Sequence, residues 1–150
     1  MSAHATTANT TFQVLMTITK ACSVTATNLT FTTSASTATN VAESTAGTVT
    51  VTCSKNTTYT VGLAPSAANG GTANGTGSMN GTGANTDKVP YTLYSNAAHT
   101  TVWGNTVGTN TIAGTGTGLA QAALSVYGIV PSANFTPDNY SDTVTVNVVY

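Results

Sequence analysis

Apolar residues recur at every second position in several segments of this 150-residue chain, and no segment repeats them at the 3.6-residue interval of a helix. In the first segment Phe12, Val14, Met16 and Ile18 share one face. Thr11, Gln13, Thr17 and Thr19 lie opposite, with Leu15 the one apolar residue on that polar side. From Gly47 to Cys53, Val49 and Val51 alternate with Thr. Leu29-Thr30-Phe31, Tyr59-Thr60-Val61-Gly62-Leu63, Tyr91-Thr92-Leu93-Tyr94 and Leu124-Ser125-Val126-Tyr127 are shorter versions of the pattern. Residues 143–150 set Val144, Val146, Val148 and Tyr150 on one face. Successive side chains of a strand point to opposite sides, so each segment has one face to bury. Residues 118–124 leave room for one helical turn at most. The expectation is a single all-β domain built as a sandwich.

Composition agrees with that pattern and removes several function classes. Threonine, which suits pleated half-buried surfaces, supplies 35 residues, and the turn formers Asn and Gly supply 14 each. Charged residues are 5% of the chain, against about 25% in ordinary soluble domains. With three Lys, no Arg and a net charge of -1, the chain cannot neutralise a row of phosphates, which excludes nucleic-acid partners. Its 40% apolar content argues against solvating disorder. No run of apolar residues is long enough for membrane insertion as a helix. Two stretches, 64–89 and 105–118, are low in complexity. The first carries Asn69-Gly70, Asn74-Gly75 and Asn80-Gly81, steps that suit tight turns, so part of it is expected to fold back as a hairpin.

Cys22 and Cys53 stand alone, with no CxxC spacing. In a cytosolic protein such a pair reads as buried thiols, and in a small exported β domain as one bridge. A bridge closing this loop would stabilise the fold by about 3–4 kcal/mol. The start Met1-Ser2-Ala3-His4-Ala5 has neither a basic region nor an apolar run, so no intact signal peptide is expected. Catalytic arrangements are absent from the pattern. There is no G-x-S-x-G elbow, and His4 and His99 are too few for a metal site. Glu43, Asp87, Asp138 and Asp142 are scattered. His99 reads as a turn residue, Trp103 as a buried aromatic and Asp142 as a structural acceptor near a strand start. Neither an enzyme nor a cofactor is expected.

Tyr91-Thr92-Leu93-Tyr94-Ser95-Asn96-Ala97, followed by Trp103-Gly104, resembles the Y-x-L-Y-x-D-A…W-G segment of spore coat protein U domains. Val126-Tyr127-Gly128-Ile129-Val130-Pro131 and Asn139-Tyr140-Ser141-Asp142-Thr143-Val144-Thr145-Val146 are similar to the V-Y-G-R-I-P…G-x-Y-x-D-T-V-x-V close of that family. Thr48-Val49-Thr50-Val51-Thr52-Cys53 matches its T-V-T-V-x-C strand, with Cys22 as the partner cysteine. The resemblance runs from about Cys22 to Tyr150. Asn96 and Ile129 replace a usual Asp and Arg, and residues 64–89 are longer and richer in Gly and Asn than the family pattern.

The resemblance implies a pilin subunit of an archaic chaperone–usher pilus. The implied fold is an immunoglobulin-like β-sandwich that lacks its final strand and is completed by a donor strand from a neighbouring subunit. Residues 1–19 would be the N-terminal donor-strand extension and 20–150 the pilin domain. Phe12, Val14, Met16 and Ile18 would fill a neighbour's groove by strand addition. Val144, Val146, Val148 and Tyr150 would form the edge of the accepting groove, and Cys22 and Cys53 the disulfide. The implied partners are identical subunits in a homopolymer, a periplasmic chaperone, an outer-membrane usher and a tip adhesin. The implied place is a cell-surface pilus reached through the periplasm, with the chain as the major pilin supporting attachment and biofilm formation. The alternative is a monomeric adhesin or carbohydrate-binding sandwich.

Overall fold

The computed structural model describes residues 1–119 and 122–150. Ten strands follow one another: β1 (Cys22–Thr27), β2 (Thr30–Phe31), β3 (Thr39–Thr45), β4 (Gly47–Cys53), β5 (Thr58–Pro65), β6 (Thr76–Asn80), β7 (Lys88–Tyr94), β8 (Ile112–Thr115), β9 (Ala122–Ser132) and β10 (Val144–Val149). Among the described residues one 3-10 turn is present, at Ala67–Asn69. The helical turn expected within 118–124 includes residues 120 and 121, which lie outside the described residues; from Ala122 the chain is strand. Among the described residues no helix is long and apolar enough to cross a membrane.

Alternation accounts for β4, where Val49, Val51 and Cys53 are buried and the intervening Thr48, Thr50 and Thr52 are half-buried. The same rule buries Tyr59, Val61 and Leu63 in β5 and Val89, Tyr91 and Leu93 in β7. Seven strands form one sheet, in which β9 is the hub. Both β3 and β4 pair with β9, β1 pairs with β4, β2 with β3, and β7 and β6 extend the sheet through β9. Between the pairs Ala42–Ile129 and Gly47–Val126 the chain advances five residues on β3–β4 but three on β9. β3 and β4 are therefore one long strand interrupted by a bulge. The second sheet is β10-β5-β8, antiparallel throughout.

The two sheets face each other over a core that includes Val49, Val61, Leu63, Leu93, Trp103 and Val126, which is the immunoglobulin-like sandwich arrangement. Trp103 is fully buried, as expected, and its Nε1–H donates to the carbonyl of Val61 at 2.9 Å. Gly75 lets the chain pass close against the Trp103 backbone. Its φ is +74°, and a Cβ there would lie 2.2 Å from the Trp103 carbonyl oxygen. The Gly- and Asn-rich stretch does fold back as a hairpin, with β6 and β7 paired from Thr76–Thr92 to Asn80–Lys88. Cys22 and Cys53 face each other at the first rung of the β1–β4 ladder and are joined by a disulfide.

Candidate functional site

β10 lies at the margin of its sheet. Among the described residues its only strand partner is β5, in register from Val144–Pro65 to Val149–Thr60. A strand in that position carries one row of backbone N–H and C=O groups without ladder partners. Val144, Val146 and Val148 turn inward and pack against the core. Beside Val144 and Val146 opens a groove of about 830 Å³. Val49, Leu63, Leu93, Val126 and Val130 contribute its apolar lining, together with Val41. Its walls come from Leu29 and Phe31 around β2, and from Phe135 and Tyr140 in the segment that leads into β10. The aromatic rings are packed in place, Phe31 at 6.4 Å from Tyr91 and Phe135 at 6.5 Å from Tyr140. A groove lined this way takes up apolar side chains, and the margin beside it offers a ladder to an extended backbone.

Carboxylates hold the surroundings. Asp142 accepts from the Tyr91 hydroxyl at 2.6 Å and from Asn69 Nδ2 at 2.7 Å, as expected of a structural acceptor. Burial, then the adjacent Asp142 carboxylate, push the Tyr91 phenol well above its ordinary range, so it stays a donor. Asp138 accepts from the Thr82 hydroxyl and N–H and from Asn85 Nδ2, which hold its carboxyl well below the usual carboxylate range. Asp87 accepts from the Thr136 N–H at 2.9 Å and is lowered by it. On β3, Glu43 accepts from the Gly128 N–H and pairs with His99 Nε2, both at 2.9 Å. Burial alone would raise Glu43, but the hydrogen bonds it accepts, from the Gly128 N–H first, together with attraction to His99 outweigh it and lower the carboxyl. His99 does sit in a turn, with φ +53°, and Tyr94 packs edge-on against its ring. Among the described residues no three His, Cys, Asp or Glu side chains gather as metal ligands would.

Phe12, Val14, Met16 and Ile18 belong to no strand and are 80–87% exposed, so the chain's own groove does not hold them. Val144 and Val146 line the groove, and Val148 packs against the core further along β10. Tyr150 lies past the end of β10 and outside the groove lining. It shares a shallower depression with Val149, Tyr59 and Val107, and the Lys20 ammonium stands 5.8 Å from its ring centroid. Leu29, Phe31, Phe135 and Tyr140 also line the groove, and the sequence alone does not mark them as site residues. Their apolar character is the same as that of core residues, and only the fold brings these distant segments to one opening.

Residues 8–147 match the model of the family described as the Spore Coat Protein U domain. The match begins ahead of Phe12, so the family pattern reaches further toward the N-terminus than the motifs from Cys22 onward. The fold is similar to a chain in the crystal structure of the CsuC–CsuE chaperone–tip adhesion subunit pre-assembly complex from archaic chaperone–usher Csu pili of Acinetobacter baumannii. That likeness has a TM-score of 0.60 at 18% identity and covers 89% of this chain. This chain spans 41% of the length of that one. No curated protein matches the sequence.

Proposed function

The chain belongs to the Spore Coat Protein U domain family, and from that premise we propose that it is a structural pilin of an archaic chaperone–usher pilus. One observation carries the reading: an open apolar groove lies beside the unpaired margin of β10, while an alternating apolar segment of the same chain stands exposed. In the proposed assembly Phe12, Val14, Met16 and Ile18 of one copy enter the groove of the next, with Val144, Val146 and Val148 on the accepting side. Tyr150 would flank that site rather than line it. Residues 1–19 then act as the donor extension and 20–150 as the accepting domain.

Dimensions support the fit. From Phe12 to Ile18 an extended strand covers about 20 Å, and the six residues of β10 rise about 17 Å from end to end. Full burial of four such side chains is worth roughly 6–12 kcal/mol as an upper range. Each ladder hydrogen bond adds about 0.5–1.5 kcal/mol. The Csu complex, one chain of which has a similar fold, joins a chaperone and a tip adhesion subunit, which supports a periplasmic chaperone as the first occupant of the groove. An outer-membrane usher, a homopolymer with a tip adhesin, and a place on the cell surface follow from the same reading. So do a major-pilin role in attachment and biofilm formation, and the absence of enzymatic activity. Deleting residues 1–19 tests it. Electron micrographs of material assembled with a chaperone and usher should show filaments for the whole chain and none for the deletion. Filaments from the deleted chain would refute the mechanism.

A further inference from the structure

The groove is open in the single chain although its lining is apolar, and the hydrophobic effect favours closing such an opening by moving a wall inward. The wall best placed to move is segment 133–142, which brings Phe135 and Tyr140 to the groove and has no strand of its own. Two carboxylates tie this segment to the loop 81–87 between β6 and β7. Asp138, on the wall, accepts from the Thr82 N–H at 2.7 Å, the Thr82 hydroxyl at 2.5 Å and Asn85 Nδ2 at 2.9 Å. Asp87, on the loop, accepts from the Thr136 N–H of the wall at 2.9 Å. Tyr140 is fixed in the same lattice, donating to the Thr136 carbonyl at 2.6 Å and accepting from Asn85 Nδ2 at 3.0 Å. Beyond it, Ser141 and Asn80 exchange backbone hydrogen bonds at 2.9 and 3.0 Å.

We propose that Asp87 and Asp138 are positioning residues for strand uptake: they brace the aromatic wall against the β6–β7 loop, so that the empty groove stays receptive to an incoming strand. Asp87 lies outside the groove lining and Asp138 within it; both act by holding Thr136, Tyr140 and Phe135 in place. The chain has only four acidic residues, and committing two of them across one wall and one loop sets this contact apart from scattered surface charge. The loop that receives the wall belongs to the Gly- and Asn-rich stretch, whose length otherwise has no assigned purpose. This inference rests on the strand-uptake reading above.

The test uses the full chain and a fluorescent synthetic peptide with the sequence of residues 8–20, with uptake and release rates both followed by anisotropy. If the wall closes in nine of ten molecules of the Asp87→Ala/Asp138→Ala variant, uptake slows about tenfold. Release of a peptide already seated should stay at the wild-type rate, because the seated strand itself holds the wall out. Asn85→Ala, which removes two of the ties to the wall along with the bond from the Asp87 N–H and leaves the Thr82–Asp138 and Thr136–Asp87 bonds, should slow uptake in the same direction and serves if the double variant does not fold. Unchanged uptake overturns the brace. Release that accelerates by the same factor also overturns it, since that marks a general loss of structure. Failure of the wild-type chain to take up peptide instead overturns the strand-uptake reading itself, and is told apart because it needs no variant.

Discussion

Replacing Met16 and Thr17 separately by Asp distinguishes insertion of one strand face from general stickiness of the N-terminal segment. The two positions are adjacent, but in an extended strand their side chains point to opposite sides. Met16 is 84% exposed in the single chain, so nearly all of its side chain would be newly buried on insertion. Truncation to Ala would forfeit about 2–3 kcal/mol, which is roughly a 30- to 150-fold loss of affinity. Met16→Asp adds the cost of an unpaired carboxylate in an apolar groove, several kcal/mol more. Thr17→Asp leaves its charge on the solvent side and should change affinity by within about 0.5 kcal/mol, or about twofold. The assay is equilibrium competition for the full chain between a labelled peptide with the sequence of residues 8–20 and unlabelled peptides bearing each change. A Met16→Asp peptide that competes as well as the Thr17→Asp peptide would refute the facing of the strand and the groove assignment with it.

Replacing both cysteines by Ser should lower unfolding free energy by about 3–4 kcal/mol, since the Cys22–Cys53 bridge closes a long loop of the unfolded chain; urea titration of the two proteins measures this. Trp103→Phe removes the hydrogen bond to the Val61 carbonyl and part of a fully buried ring, for a loss of about 2–3 kcal/mol by the same titration. Acid should destabilise the fold partly through Glu43. Its carboxyl lies below the ordinary value of 4.5 in the folded chain, so its contribution is complete above that pH and disappears as pH falls through the folded value. Glu43→Gln should therefore flatten the decline of the melting temperature below about pH 4.5, and an unchanged acid limb would show that the His99–Glu43–Gly128 contact does not couple to folding.

Within residues 20–150, strong alternation in the sequence marks the strands. Gly47–Cys53 was expected and found with the same bounds, and the last strand differs from the expected 143–150 only at its ends. β1 and β3 leave little trace in the sequence because they bury little: β1 is almost wholly exposed, and Val41 is the one buried apolar residue of β3. β7 begins three residues before the expected Tyr91, since Lys88 and Pro90 break the apolar pattern while Val89 is buried. β8, with the sequence IAGT, is too short and too small to register against a stretch of Gly and Thr. The margin residues Val144 and Val146 were legible from their alternation. The groove beside them was not, because Leu29, Leu93, Val126 and Phe135 reach it from separate parts of the chain. Segment 11–19 carries a clear strand pattern yet forms no strand in the single chain, where its apolar side chains stand exposed and clear of both sheets, including the free margin of β10.

A cryo-electron microscopy map of filaments assembled from the whole chain tests the account most directly. The account predicts a strand of density along the free side of β10, with side chains fitting Phe12, Val14, Met16 and Ile18 and with connectivity leading to the adjacent subunit. A groove that is empty, or filled by the N-terminal segment of its own subunit, would contradict it.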